Sequence, residues 1–343
     1  MKALQLKGPG KKFQLTDVPD PVAGPGEAVI KVLTCGSGLT IQHVKAGRTP
    51  VVYPRIIGHE ITGEVVEIGQ GVTSLVIGDA VTAYFYLTCG TCKWCLRNRE
   101  TLCENFGGYV GRAVDGGYAE YIKLPASTFL KLPNNLDYKK HAAEIGVISD
   151  AIATPVKVIR RARITSSDTV TVFGAGGGLG IHMLMLAKWA HARVIAVETK
   201  PEKFAACRDA GADEVIDGTR NDVPEALIDL NAGGIDVAID FVSSRQTLEH
   251  GAAALGPGGR LITLGGSGQP FLANSKLMLE KELELIGSRY ATKQEVIDSL
   301  ELVARGDVWP LVTDVRPMAE AEALHEDIED GNVIGRAALR IAE

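Results

Sequence analysis

The chain has 343 residues, 45% hydrophobic and 23% charged, with a formal net charge of -6. That length makes two domains the expectation, and a mildly acidic chain without a long basic run carries no electrostatic footprint for nucleic acid. No stretch approaches the roughly 20 apolar residues that span a bilayer, and the start lacks the apolar core of a signal peptide, so a cytoplasmic location with reduced cysteines is expected.

Up to about Leu132 the sequence reads as short β segments punctuated by glycine and proline. Ala28–Thr34, Ile61–Ile68, Ala80–Tyr84 and Ala119–Leu124 are the clearest, with turn signals at Pro25-Gly26 and Gly116-Gly117. This predicts an antiparallel, barrel-like domain. Within it lies an excursion without β pattern, where Cys89, Cys92, Cys95 and Cys103 account for four of the six cysteines. Four thiolates within reach of one centre match the closed tetrahedral shell of a structural Zn²⁺. Disulfide pairing is the alternative, although a chain this long buries an ordinary core without such staples.

From about Asp150 strands and helices alternate, as in a parallel sheet covered on both faces. A helix over Ala151–Ala162 precedes the strand Thr169–Phe173, a glycine-rich turn and a helix over His182–His191. The strand Arg193–Val197 and a helix around Pro201–Ala210 follow, then strands at Val215–Ile216, Asp236–Ile239, Arg260–Leu264 and Leu283–Ile286. A helix over Glu295–Ala304 and a last strand, Arg336–Ile341, complete the pattern.

The turn reads Gly174-Ala175-Gly176-Gly177-Gly178-Leu179-Gly180. Between a strand and a helix, such glycines bring backbone N–H groups to a pyrophosphate at the helix N-terminus. Glu198, at the end of the next strand, is placed to accept hydrogen bonds from both ribose hydroxyls and to repel a 2′-phosphate. Lys200 and Lys203 lie close by and soften that preference, so NAD is expected ahead of NADP, and with it hydride transfer.

These elements, together with Gly58-His59-Glu60, Gly63–Gly69, Gly117–Tyr121 and Gly335-Arg336-Ala337, follow a known order. Over essentially its full length the chain resembles the zinc-containing medium-chain dehydrogenase/reductase family, the alcohol dehydrogenase-like proteins. The resemblance implies an α/β fold with a GroES-like antiparallel β domain (1–150 with 290–343, zinc lobe 89–103) and a doubly wound Rossmann domain (151–289). It also implies a homo-oligomer, dimer or tetramer, acting on a small-molecule substrate. Cofactor contacts are expected at Val242, Gly265, Ser288 and Arg289, beside Glu198 and Lys203, and at Arg336 on the pyrophosphate.

The family's catalytic zinc takes a cysteine, the His of Gly-His-Glu and a cysteine or acid at the start of the interdomain helix. Here the first ligand position is Gly38, and Ile41 replaces the aspartate that orients the ligand histidine. The third position is Asp150. What survives is a doubtful oxygen-rich set, His59, Asp150 and Glu60. A register shifted by three would offer Cys35 instead, at the expense of the match at Thr40 and His43. Those two correspond to the family's substrate-binding hydroxyl and relay histidine. Without a Lewis acid, substrates already activated by conjugation are favoured. Two enzymatic readings follow: oxidoreduction of an alcohol or carbonyl, or zinc-free reduction of a conjugated C=C, as in enoyl reductases. A non-catalytic dinucleotide-binding protein is a third.

Overall fold

The computed structural model describes residues 1–342 and divides into two units. Met1–Ala153, joined by the stretch from Ala291 onward, forms the first; Thr154–Tyr290 forms the second.

The first unit is organised on the strand Glu27–Ser37, whose Val- and Ile-rich run is buried along most of its length. It pairs antiparallel with Glu60–Ile68, Tyr121–Pro125 and Arg336–Arg340. The register against Glu60–Ile68 shifts at Val29/Ile30 and again at Val32/Thr34, irregularities that bend a strand and let it serve several partners. Ala80–Ala83 and Phe129–Lys131 extend one edge of this sheet, and Val312–Pro317 the other. A three-stranded sheet, ordered Gln14–Asp17, Lys2–Leu6, Arg55–Ile56, completes the antiparallel half that the sequence predicts.

Several features differ from expectation. The helix predicted over Ala151–Ala162 is the end of a longer run: Ala142–Val147, a π-helical turn at Ile148–Ile152, then Ala153–Ala162. Pro155 has no N–H to offer the carbonyl of Ala151, and its ring crowds that carbonyl, so the turn before it widens. The strand Val312–Pro317 and the helix Ala321–Glu329 are also additions. Val312–Pro317 is a polar edge strand that alternates between half-buried and exposed residues, which leaves little hydrophobic pattern to read.

The second unit is a six-stranded parallel sheet. Its order is Glu214–Asp217, Arg193–Glu198, Thr169–Phe173, Ile235–Asp240, Leu255–Thr263, Glu284–Gly287. Counted along the chain this is 3-2-1-4-5-6, the doubly wound arrangement that reverses direction beside its first strand. Thr169–Phe173 is buried at all five positions, as a central strand covered on both faces must be. Phe173, Ile195, Val197, Leu227, Ile235 and Leu261 belong to one packed cluster of this core.

Candidate functional site

At the carboxyl edge of the parallel sheet, strand one runs into the glycine loop and then the helix Gly180–Trp189. Gly174 has φ +71, in the left-handed region, and a Cβ on Gly180 would lie 2.2 Å from the Gly174 carbonyl oxygen. The loop therefore closes tightly and leaves its backbone approachable. Glu198 is buried; its carboxylate accepts the N–H of Gly176 at 2.7 Å and that of Lys200 at 3.0 Å. Lys203 is buried beside it, its Nζ 3.5 Å from the Gly176 carbonyl, and burial lowers its pKa. Val242, Gly265 and Ser288 follow strands four, five and six, so the parallel topology carries them to the same edge as the glycine loop. Ser243 Oγ accepts the Gly265 N–H at 2.8 Å, and Lys157 Nζ donates to the Arg289 carbonyl at 2.9 Å. This cradle fits a dinucleotide: backbone N–H groups at a helix N-terminus, a glycine surface and a carboxylate at the end of the next strand.

In the first unit the four cysteines converge. Sγ–Sγ separations are 3.9 Å for Cys89–Cys95, 3.6 Å for Cys92–Cys95, 4.0 Å for Cys92–Cys103 and 3.5 Å for Cys89–Cys103. A tetrahedron with Zn–S bonds of about 2.3 Å has edges of about 3.8 Å. A disulfide would need about 2 Å, and all four thiols are free. Backbone N–H groups of Thr91 and Cys92 bring the Cys89 thiol down to about 5, toward the thiolate that a metal requires. The donors fit a structural Zn²⁺, and the disulfide alternative falls away.

His59, Glu60 and Asp150 also bring ligand atoms together, all three buried. Their geometry is set by two glycines. Gly36 faces Glu60 across the antiparallel pair, and a Cβ there would lie 2.2 Å from Glu60 Oε2. On the other side Ser37 pairs with Ala337, which sets Gly38 beside Arg336, and a Cβ on Gly38 would lie 1.8 Å from Arg336 Nη1. Arg336 is buried, with Nη2 2.7 Å from Glu60 Oε1 and 2.8 Å from Asp150 Oδ2. Burial pushes the Glu60 carboxyl up to about 8, with Arg336 opposing and Asp150 reinforcing the rise. Burial lowers the pKa of His59, so its ring is neutral at pH 7. Its Nε2 is 3.9 Å from Asp150 Oδ2, too far for a hydrogen bond.

A catalytic divalent ion does not fit this arrangement. The two carboxylates already share a cation, and the first ligand position has neither a side chain nor room for one. Cys35 offers no substitute. It is fully buried, its sulfur lies against the backbones of Gly58 and Gly117, and it is absent from the converging donor set. Arg336, expected on the basis of the resemblance at the cofactor pyrophosphate, has its guanidinium between these two acids.

Thr40 and His43 sit on the short helix Leu39–Lys45, both half-buried. Partial burial and the Arg48 charge lower the His43 pKa, leaving it neutral near pH 7. Gln42, next to His43, is one that sequence reasoning did not single out. Its Nε2 donates to Glu329 at 2.8 Å, and its Oε1 is 2.8 Å from His325 Nδ1. His325 Nε2 lies 2.9 Å from the Tyr118 hydroxyl, which in turn bonds Ser37 Oγ. This buried chain ties the short helix to the strand end at Ser37, between Gly36 and Gly38.

Two family models match the chain: "Alcohol dehydrogenase GroES-like domain" over residues 24–134 and "Zinc-binding dehydrogenase" over 178–305. An alcohol dehydrogenase of Geobacillus stearothermophilus is 33% identical over 354 residues, covering 100% of both chains. An acryloyl-coenzyme A reductase of Metallosphaera sedula is 31% identical over 344 residues, covering 99% of both. Among solved structures, that of AibC superposes with a TM-score of 0.92 at 32% identity, covering 100% of this chain and 96% of the other.

Proposed function

The chain belongs to the zinc-containing medium-chain dehydrogenase/reductase family and is an NAD(P)-dependent oxidoreductase; from that premise we propose that it reduces a conjugated C=C bond, in an enone or enoyl thioester, with NADH as donor. The observation that carries this reading is the Arg336 guanidinium held between Glu60 and Asp150 next to a side-chain-free Gly38. An isolated carbonyl gains most from a Lewis acid on its oxygen, whereas a conjugated carbonyl already makes its β carbon electrophilic. The acryloyl-coenzyme A reductase among the relatives supports the same choice.

A bound reduced nicotinamide supplies the hydride. The protein's part is to hold both reactants and manage charge. Glu198 and the glycine loop hold the adenosine and pyrophosphate, and the buried acid favours NADH over NADPH. The hydride forms a C–H bond at the β carbon, the π electrons move to the carbonyl oxygen, and the enolate takes a proton at the α carbon. The Thr40 hydroxyl donates to that oxygen as it becomes negative, and His43, neutral near pH 7, passes the proton inward from solvent. Cys89, Cys92, Cys95 and Cys103 hold the structural zinc. The active species is proposed to be a homo-oligomer in the cytoplasm.

The test compares NADH oxidation with an enone and with the saturated ketone of the same carbon skeleton. Turnover of the enone at least 100-fold faster in kcat/KM is expected. Equal turnover of the ketone would return the protein to carbonyl chemistry.

A further inference from the structure

We propose that the Arg336 guanidinium is the resident cation of the His59, Glu60 and Asp150 site, admitted by Gly38, and that it bars a divalent metal from those donors. The inference deepens the reading of the site given above. Its test reads metal content, so it fails separately from the assignment of the reduced bond, which the ketone comparison reads.

The argument is one of space and charge. A carboxylate buried here needs a positive partner, because burying a charge is tolerated only when it is paired. Arg336 supplies it through one nitrogen placed 2.7 Å from Glu60 and 2.8 Å from Asp150. The other terminal nitrogen fills the space a side chain at position 38 needs, 1.8 Å from where its Cβ would be. A side chain at 38 and the guanidinium in its present place are therefore mutually exclusive. Either a ligand residue and a metal occupy the site, or a glycine and an arginine do. The strand register enforces the choice, since the Ser37–Ala337 pairing brings Arg336 alongside Gly38. Arg336 cannot swing aside cheaply, because moving it breaks its short contacts with both buried acids. A metal ion must displace that cation before it can bind both acids.

The arrangement also explains why His59, Glu60 and Asp150 retain metal-ligand geometry with no thiolate among them. The two acids are held by the arginine, and His59 is held by packing, its ring 4.4 Å from that of Phe85.

Zinc content of the full chain, measured after growth in excess zinc and desalting, is expected to be one ion per chain, falling to none in Cys92→Ser. The double variant G38C/R336A is expected to hold two per chain. With Co²⁺ it should add the visible d–d bands of a second four-coordinate site, and these should disappear when His59→Ala is added. The proposal is overturned if the wild type holds two ions and His59→Ala removes one. It is equally overturned if G38C/R336A folds, binds NADH and stays at one. Should the double variant fail to fold, the wild-type stoichiometry and its response to Cys92→Ser and His59→Ala decide alone.

Discussion

At the scale of the residue, the two glycines at the end of the strand Glu27–Ser37 and just beyond it decide most of the site's character. Gly36 makes room for a carboxylate and Gly38 for a guanidinium. The missing ligand was legible in the sequence, because a glycine cannot bind metal whatever surrounds it. What fills the gap was not legible. Arg336 lies 298 positions away by residue number, and only the pairing of Ser37 with Ala337 brings it close. A signal existed in the joint presence of a vacated ligand position, two surviving acids and an arginine, but a linear reading offers several other arginines for the part. The placement of Glu198 beside the glycine loop was more readable, because it depends on a local strand–loop–strand pattern. Replacing Glu198 by Ala should raise the Kd for NADH by roughly 10- to 100-fold, equivalent to about 1.4–2.7 kcal/mol. NADPH binding should change much less. Fluorescence titration with both cofactors checks this, and a larger loss for NADPH would contradict it.

Among the elements, the most regular were the easiest to foresee. Thr169–Phe173 matches its expected bounds, because a fully buried strand is a short apolar run next to a glycine turn. The π-helical turn Ile148–Ile152 was missed, although Pro155 marked the place where the helix must deform. Its position matters, since Asp150 lies within it. The cysteine lobe is an element of a different kind. It consists of the short 3₁₀ turns Cys95–Arg97 and Glu100–Leu102, with four half-buried thiols and almost no apolar core. Its fold must come chiefly from the metal, as in small zinc domains where binding supplies on the order of 10 kcal/mol. Stripping zinc with a strong chelator should therefore open the chain to protease within residues 89–103 while the parallel sheet stays protected. Mapping the cleavage sites checks this; cuts spread over both units, or none in the lobe, would go against it.

On the scale of the whole molecule, the parallel sheet is continuous in sequence and was readable almost strand by strand. The antiparallel unit draws on both ends of the chain, which is why the meeting of Arg336 with Glu60 and Asp150 was not foreseen. This unit also holds a group whose contribution to stability falls in acid. Burial drives the His325 pKa from an ordinary 6.5 down to about 3, inside the chain that joins Gln42 to Tyr118. A depressed histidine pKa means that the unfolded chain binds the extra proton between those two values. Stability is therefore greatest above about 6.5 and falls as the pH drops toward 3, by at most about 1.4 kcal/mol per pH unit from this group. Thermal midpoints measured from pH 7 to pH 4 should fall, and His325→Gln should flatten the slope; an unchanged slope would assign the acid loss to other groups. The division of the first unit bears on how the protein is made. Synthesis delivers Asp150 long before Arg336, its partner 186 positions later. The parallel-sheet unit is complete while the two acids of the first still have no counter-charge. A nascent chain that stops short of Arg336 lacks the guanidinium that faces Asp150 and Glu60, so that contact forms only after the parallel-sheet unit has been made.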